Sequence, residues 1–179
     1  MVHDSMANNR PQISLAKGDI TQHFADAIVN AANSSLMGGG GVDGAIHSAG
    51  GPAILQECKK IRQGRYPDGL PVGEAVATTA GDLLARWVIH TVGPHYGVDE
   101  PAPDLLANCH NSALAVADEL GARSVAFPAI STGVYGYPLN EAADVAINAV
   151  LSAKMSVQDI TFVLFGDDAY REFERALGA

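Results

Sequence analysis

The chain has 179 residues, 47% of them hydrophobic and 17% charged, which is ordinary for one soluble globular domain able to bury a substantial core. Eleven Lys plus Arg against twenty Asp plus Glu leave a formal charge of −9, which repels polyanions at long range and argues against non-specific nucleic-acid binding. The longest apolar runs, such as Ile160 to Phe165, are far too short to span a membrane.

The first residues, MVHDSMANNRPQ, are polar and lack a basic segment followed by an apolar stretch, so residues 1–11 are expected to be a tail and the protein cytoplasmic. Ile13 to Ala16 reads as a first strand and Ala27 to Asn30 as a short buried one, because apolar and β-branched residues cluster there between turn signals. The segment NAANSSLMGGGGVDGAIH, residues 30–47, therefore begins at a strand's C-terminal end. Val42 to Ala49 and Ala53 to Ile61 have helical periodicity, the second aligning Ile54, Leu55, Cys58 and Ile61 on one face. Residues 62–74 form a loop, and Ala75 to Thr79 and Trp87 to Val92 are strands. A long helix is expected from Asp104 to Leu120, with Gly121 placed to end it. Ser124 to Phe127 is the next strand; the loop PAISTGVYGYP follows, then a helix from Leu139 to Ala153. A strongly apolar strand from Asp159 to Phe165 and an amphipathic helix from Asp168 to Leu177 close the chain.

This alternation, without repeat or linker, predicts an α/β sheet covered on both faces in three layers. Ligands of such sheets sit beyond the carboxyl ends of the strands, so the two glycine loops and the segment after Phe165 are expected at one rim.

Any phosphate ligand of so acidic a chain must be held by local chemistry, and fixed backbone amides at a glycine loop or helix N-terminus supply it. The glycines at 38 to 41 lie between a buried strand and a helix, where linker flexibility costs entropy but close backbone approach to a ligand needs residues without Cβ. Ser131 to Gly136 is a second candidate phosphate loop or else a tight turn. Neither loop has a Walker Gly-Lys-Ser/Thr or a Rossmann fingerprint. Asn30 and Asn33 can donate and accept without carrying charge, or can simply shape a turn. Asp43 is either a helix N-cap or a carboxylate able to orient a water beside a phosphate cradle. The six histidines show no metal-ligand spacing and read as packing or surface residues. Cys58 and Cys109 read as reduced and buried, and no G-x-S-x-G elbow is present.

Four blocks together resemble the macrodomains, specifically the MacroD-type branch: Gly18-Asp19-Ile20-Thr21, DAIVNAANSSLMGGGGVDGAIH from Asp26 to His47, Val88 to Pro94 (VIHTVGP), and Pro128 to Pro138. The resemblance implies a three-layer α/β/α macrodomain over residues 12–179, with a central mixed, mostly parallel sheet, that binds ADP-ribose without metal or cofactor. Asp19 would accept from the adenine amino group, the Ile20 amide would reach the ring, and Phe165, core by its own sequence context, would lie against the adenine face. The amides of Gly39, Gly40, Gly41 and Val42, and of Ser131, Thr132, Gly133, Val134 and Gly136, would hold the diphosphate. Asn33 and Asp43 would be catalytic beside the distal ribose, with Asn30 supporting its floor and Tyr135 fixing its plane. The implied activity is hydrolysis of the ester between ADP-ribose and acidic side chains of ADP-ribosylated proteins, together with O-acetyl-ADP-ribose deacetylation. The alternatives are a non-hydrolytic ADP-ribose reader and a hydrolase of ADP-ribosylated nucleic acid. The loop Gln63 to Gly73 is not diagnostic of substrate and is expected to shape the outer wall.

Overall fold

The apolar runs fold as strands where their composition places them: β1 Gln12–Lys17, β2 Ala27–Ala32, β3 Ala75–Thr79, β4 Trp87–Val92, β5 Ser124–Phe127 and β6 Asp159–Leu164. Between them lie five helices, α1 Gly41–Gly50, α2 Pro52–Gln63, α3 Ala102–Leu120, α4 Leu139–Ser152 and α5 Asp167–Leu177, and a short 3-10 turn at Ile20–Gln22. This computed structural model describes residues 10–178, so most of the tail expected at 1–11 lies outside the described residues.

The strands make one six-stranded sheet in the order β1-β6-β5-β2-β4-β3. Every pairing is parallel except that of β3 with β4 at one edge, giving the mixed, mostly parallel sheet that the sequence implied. Helices α3, α4 and α5 cover one face, where Leu106, Leu114, Ile147, Val150 and Phe173 meet Val29, Ile89, Phe127 and Phe162. Helices α1 and α2 cover the other, where Ile46, Ile54 and Cys58 meet Ile28, Val88 and Val92. Cys58 and Cys109 are free and buried, one in each of these cores. Among the described residues no helix is long and apolar enough to cross a membrane.

Most elements end one or two residues away from expectation, and for two of these boundaries the reason is identifiable. Helix α3 starts at Ala102 rather than Asp104, because Pro103 falls in the first turn, where amides have no intrahelical acceptor and proline forfeits nothing. It ends as expected at Gly121, whose φ of 77° lets its amide reach Ala117 and Asp118 carbonyls. Strand β6 stops at Leu164, not Phe165, since its last register partner in β1 is Lys17 and the Gly18 amide closes the ladder on the Leu164 carbonyl at 2.9 Å.

Phe162 stacks on Phe127 with ring centroids 5.5 Å apart and meets Phe173 at 5.0 Å, tying sheet to α5. Truncation here opens a cavity that rigid strands cannot close. Phe162→Ala should lower unfolding stability by about 3–5 kcal/mol, read as a reduced urea midpoint at unchanged m.

Candidate functional site

The parallel register delivers the carboxyl ends of β1, β2, β4, β5 and β6 to one rim, and the sequence-predicted site residues follow or lie in those strands. After β1, Asp19 caps the 3-10 turn: its Oδ1 accepts from the Thr21 amide at 2.9 Å and the Thr21 hydroxyl at 2.7 Å. Ile20 is buried beneath it. Phe165, just past the neighbouring end of β6, is 89% exposed, which removes its reading as a core residue. An aromatic ring left this open beside Gly18 to Ile20 is available to a flat ligand.

The first glycine loop is shaped from within and braced from outside. Asn33 donates from Nδ2 to the Gly38 carbonyl at 3.0 Å and accepts at Oδ1 from the Ser35 hydroxyl at 2.6 Å. Leu36 is buried and sits at a φ of 60°, a left-handed conformation sustained by its packing. Arg62 donates to the carbonyls of Ser35, Tyr66 and Pro67 at 2.8, 3.0 and 3.1 Å, and the Leu70 amide donates to the Ser34 carbonyl at 2.9 Å. The segment at 63–73, expected as an outer wall, is thus the brace of this loop.

Helix α1 is capped by Gly40, and among the described residues no side chain accepts from its first amides. Asp43 is therefore not the N-cap, a correction to that alternative: it lies in the first turn, 5% exposed, and turns inward. Its Oδ1 accepts from Asn30 Nδ2 at 2.8 Å and lies 3.4 Å from His47 Nε2, which is out of line for a hydrogen bond. Its Oδ2 faces the loop: a Cβ on Gly39 would stand 3.1 Å from Asp43 Oδ2 and 3.3 Å from Asn33 Nδ2. Glycine at 39 keeps open the gap between the carboxylate and the amide. Asn30, fully buried in β2, sits opposite His90 in β4, and Asn30 Nδ2 also lies 3.1 Å from His90 Nδ1.

The second loop comes off β5. Ser131 is buried at a φ of 69°, and its hydroxyl has no partner among the described residues. Thr132 bonds back through its hydroxyl to the Ala129 carbonyl at 2.8 Å, and the Gly136 amide closes a turn on the Gly133 carbonyl at 3.0 Å. Among the described residues the amides of Gly133, Val134 and Tyr135 have no acceptor, and the Val134 side chain is 99% exposed. Tyr135 stacks on His95, with centroids 3.6 Å apart, and its carbonyl accepts from the Tyr96 amide at 2.8 Å. Burial pushes the Tyr135 hydroxyl's pKa up, with the Asp43 and Asp99 charges adding to the effect, so the ring borders the carboxylate's field.

Side chains beyond the sequence reading complete this end of the molecule. His47 is legible in hindsight from its i+4 spacing to Asp43 on α1, and Arg62, His90, His95 and Tyr96 carried no local signal. Ligand atoms of His47, Cys58 and His90, from α1, α2 and β4, lie within 4.8 Å of one another, a grouping that spacing along the chain could not reveal. Both His90 nitrogens are engaged by Asn30 and Thr78, and burial pushes the Cys58 thiol up to about 12, with Asp43 and Glu57 contributing. His90 and Cys58 are thus held by hydrogen bonds under the site floor, and the His47 ring packs beside His90 with centroids 6.1 Å apart.

The chain matches the Macro domain family over residues 29–146. A Macro domain-containing protein of Streptomyces coelicolor is 62% identical over 166 residues, covering 93% of this chain and 98% of its own length. An O-acetyl-ADP-ribose deacetylase of Enterobacter cloacae is 48% identical over 172 residues, 94% of each chain. Among solved structures, an Oceanobacillus iheyensis macrodomain variant with ADPR superimposes at a TM-score of 0.92 and 40% identity, over 96% of this chain and 94% of that one. A Trypanosoma brucei macrodomain in complex with ADP-ribose does so at 0.83 and 41% identity, over 93% of this chain and 69% of that one.

The second loop depends on a glycine outside both loops. A Cβ on Gly93 would overlap Ser131 Oγ and stand 2.7 Å from Ile130 Cγ2. Gly93→Ala should cost about 1–3 kcal/mol through overpacking, with amide NMR shifts concentrated at residues 130–137 rather than spread through the core.

Proposed function

The chain belongs to the Macro domain family, and from that premise we propose that it binds ADP-ribose and hydrolyses the ester joining its distal ribose to glutamate or aspartate side chains. The observation that carries this reading is the gap lined by Asp43 Oδ2 and Asn33 Nδ2 across the bare Cα of Gly39. A ribose lying over Gly39 meets a carboxylate and an amide at the positive end of α1.

The amides around Gly39, Gly40, Gly41 and Val42 and those of Ser131, Gly133 and Val134 bind the diphosphate, whereas the Thr132 and Gly136 amides, expected from the sequence to share in this, turn instead to the Ala129 and Gly133 carbonyls at 3.4 and 3.0 Å and shape the loop. That assignment suits a helix start without a side-chain cap and a second loop whose central amides lack acceptors. Asp19 accepts from the adenine amino group through the oxygen not committed to Thr21, the Ile20 amide reaches the ring, and Phe165 covers its face. Tyr135, held flat on His95, fixes the distal ribose over the floor that Asn30 supports.

In the reaction, Asp43 Oδ2 and a ligand phosphate oxygen hold a water in line with the anomeric carbon. The water oxygen bonds to that carbon as its bond to the ester oxygen breaks, the side-chain carboxylate leaves with the bond's electrons, and the water's proton passes to solvent. Positive charge developing on the sugar is stabilised by Asp43 and the phosphate, fixed before the reaction begins. The same water, directed at an acyl carbon, deacetylates O-acetyl-ADP-ribose, the activity named for the Enterobacter cloacae relative. With a net charge of −9, a nucleic-acid-linked substrate would be engaged through its ADP-ribose alone.

Three measurements check this. Asp43→Ala should slow release of ADP-ribose from a glutamate-modified protein about a hundredfold or more while retaining most of the affinity for free ADP-ribose. Equal rates would remove Asp43 from the chemistry, and binding by the wild type without turnover would make the chain a reader. Run in ¹⁸O-water, attack at the anomeric carbon labels ADP-ribose and attack at the acyl carbon labels the released acid. Phe165→Ala should weaken ADP-ribose binding by about 1–3 kcal/mol and leave the saturated rate unchanged in calorimetry and turnover assays.

A further inference from the structure

Asp43 is held by a chain of buried side chains that runs away from the ligand. Asn30 Nδ2 reaches Asp43 Oδ1 at 2.8 Å and His90 Nδ1 at 3.1 Å; His90 Nε2 lies 2.9 Å from the Thr78 hydroxyl; that hydroxyl lies 2.9 Å from the Thr79 carbonyl. Asn30, Asp43, Thr78 and His90 are all buried, and Asn30 and His90 face each other across the β2–β4 register. Solvent therefore cannot settle where the protons go; the chain itself must.

Its two ends give the same answer. The Thr78 hydroxyl is placed to donate to the Thr79 carbonyl, and with its proton there it accepts from His90 Nε2–H. His90 Nδ1 is then a bare lone pair and accepts from Asn30. At the other end, the Asp43 carboxylate can only accept, so the Asn30 group facing it is the NH₂, whose second N–H is the one directed at His90. Burial pushes the His90 pKa down to about 3, with His47 adding, which keeps the ring neutral as this pattern requires. Reversing the Asn30 amide would set its carbonyl oxygen against Asp43 Oδ1 and against the imidazole lone pair. The orientation that results leaves Asn30 Oδ1 buried without a partner among the described residues, an arrangement that the two acceptors impose.

We propose that His90 is a positioning residue for the hydrolysis: as the Nε2–H tautomer it fixes which way the Asn30 amide faces, and that amide anchors Asp43 Oδ1 so that Oδ2 is presented to the water. This rests on the hydrolase reading of Asp43. Thr78 sets the tautomer, His90 transmits it, and Asn30 converts it into the carboxylate's orientation. A misdirected carboxylate still leaves the phosphate loops and the adenine contacts in place, so the effect falls on the rate rather than on binding.

The wild-type protein supplies the first test: a long-range ¹H–¹⁵N spectrum of the imidazoles should show His90 neutral, protonated at Nε2 and bare at Nδ1. His90→Asn places an amide oxygen near the Nδ1 position, whereas His90→Gln places its amide toward Thr78 and His90→Leu supplies no acceptor. Single-turnover release from a glutamate-modified protein should fall about tenfold to a hundredfold in the Leu and Gln variants and recover most of that loss in the Asn variant. The ADP-ribose Kd should stay within about threefold of wild type throughout. An Nδ1–H or charged His90, or an Asn variant as slow as the Leu variant, overturns the proposal. A wild type that binds ADP-ribose but does not turn over overturns the hydrolase reading instead, and the spectrum then decides the tautomer by itself.

Discussion

The constraint on which the rest of this molecule depends is that five neighbouring strands run the same way. Parallel pairing needs long crossovers, and those crossovers are the helices that cover both faces of the sheet. It also gathers the carboxyl ends at one rim, so that segments as distant as Gly18 and Phe165, or Gly93 and Ser131, become neighbours. No single segment holds a complete site. What each contributes is small: an exposed ring, a few amides, one carboxylate, one bare Cα.

Within that frame, the polar groups beneath the rim are ordered by a shortage of alternatives. Asn30 sits in a strand otherwise made of alanine, isoleucine and valine and is fully buried from bulk solvent. A buried amide in such surroundings has to take whatever acceptors its neighbours offer, and the β2–β4 register offers His90 on one side while α1 offers Asp43 on the other. Packing and electrostatics thus meet in one residue: the sheet fixes the amide, and the amide fixes the carboxylate. The same crowding explains the glycine at 93, where a side chain would occupy space that the Ser131 hydroxyl already uses, and the one at 39, where a Cβ would press on the Asp43 carboxylate and the Asn33 amide.

The order and type of elements were legible because periodicity reports burial, and the core of this protein is regular. The spacing of Asn30, Asn33 and Asp43 around four glycines was legible for a different reason: all lie in one continuous stretch where strand gives way to helix. What spacing could not convey is register. His90 stands sixty residues from Asn30 and became its partner only through the pairing of β2 with β4. Arg62 reads as one more charged residue on an amphipathic helix, yet its guanidinium ties three carbonyls and stiffens the first loop. The N-cap alternative for Asp43 failed because the helix starts two residues earlier than Asp43, at Gly41, letting a carboxylate of otherwise capping type turn into the interior. Phe165 looked like the last residue of an apolar strand, and only the end of its β1 partner shows that the ladder stops before it.

Helix α1 begins at a glycine, and among the described residues no side chain accepts from its first amides. A serine or aspartate at an N-cap stabilises a helix over glycine by only about a few tenths of a kcal/mol, so this chain forgoes a small but definite increment at the start of α1. On the function proposed above, the missing acceptor is the ligand itself, and folding and binding draw on the same unsatisfied donors. The protein's resistance to unfolding then rises with ligand concentration. Selection for stability alone would work against the site, since the substitution that best caps α1 would supply from within the anion that the helix is shaped to take from outside.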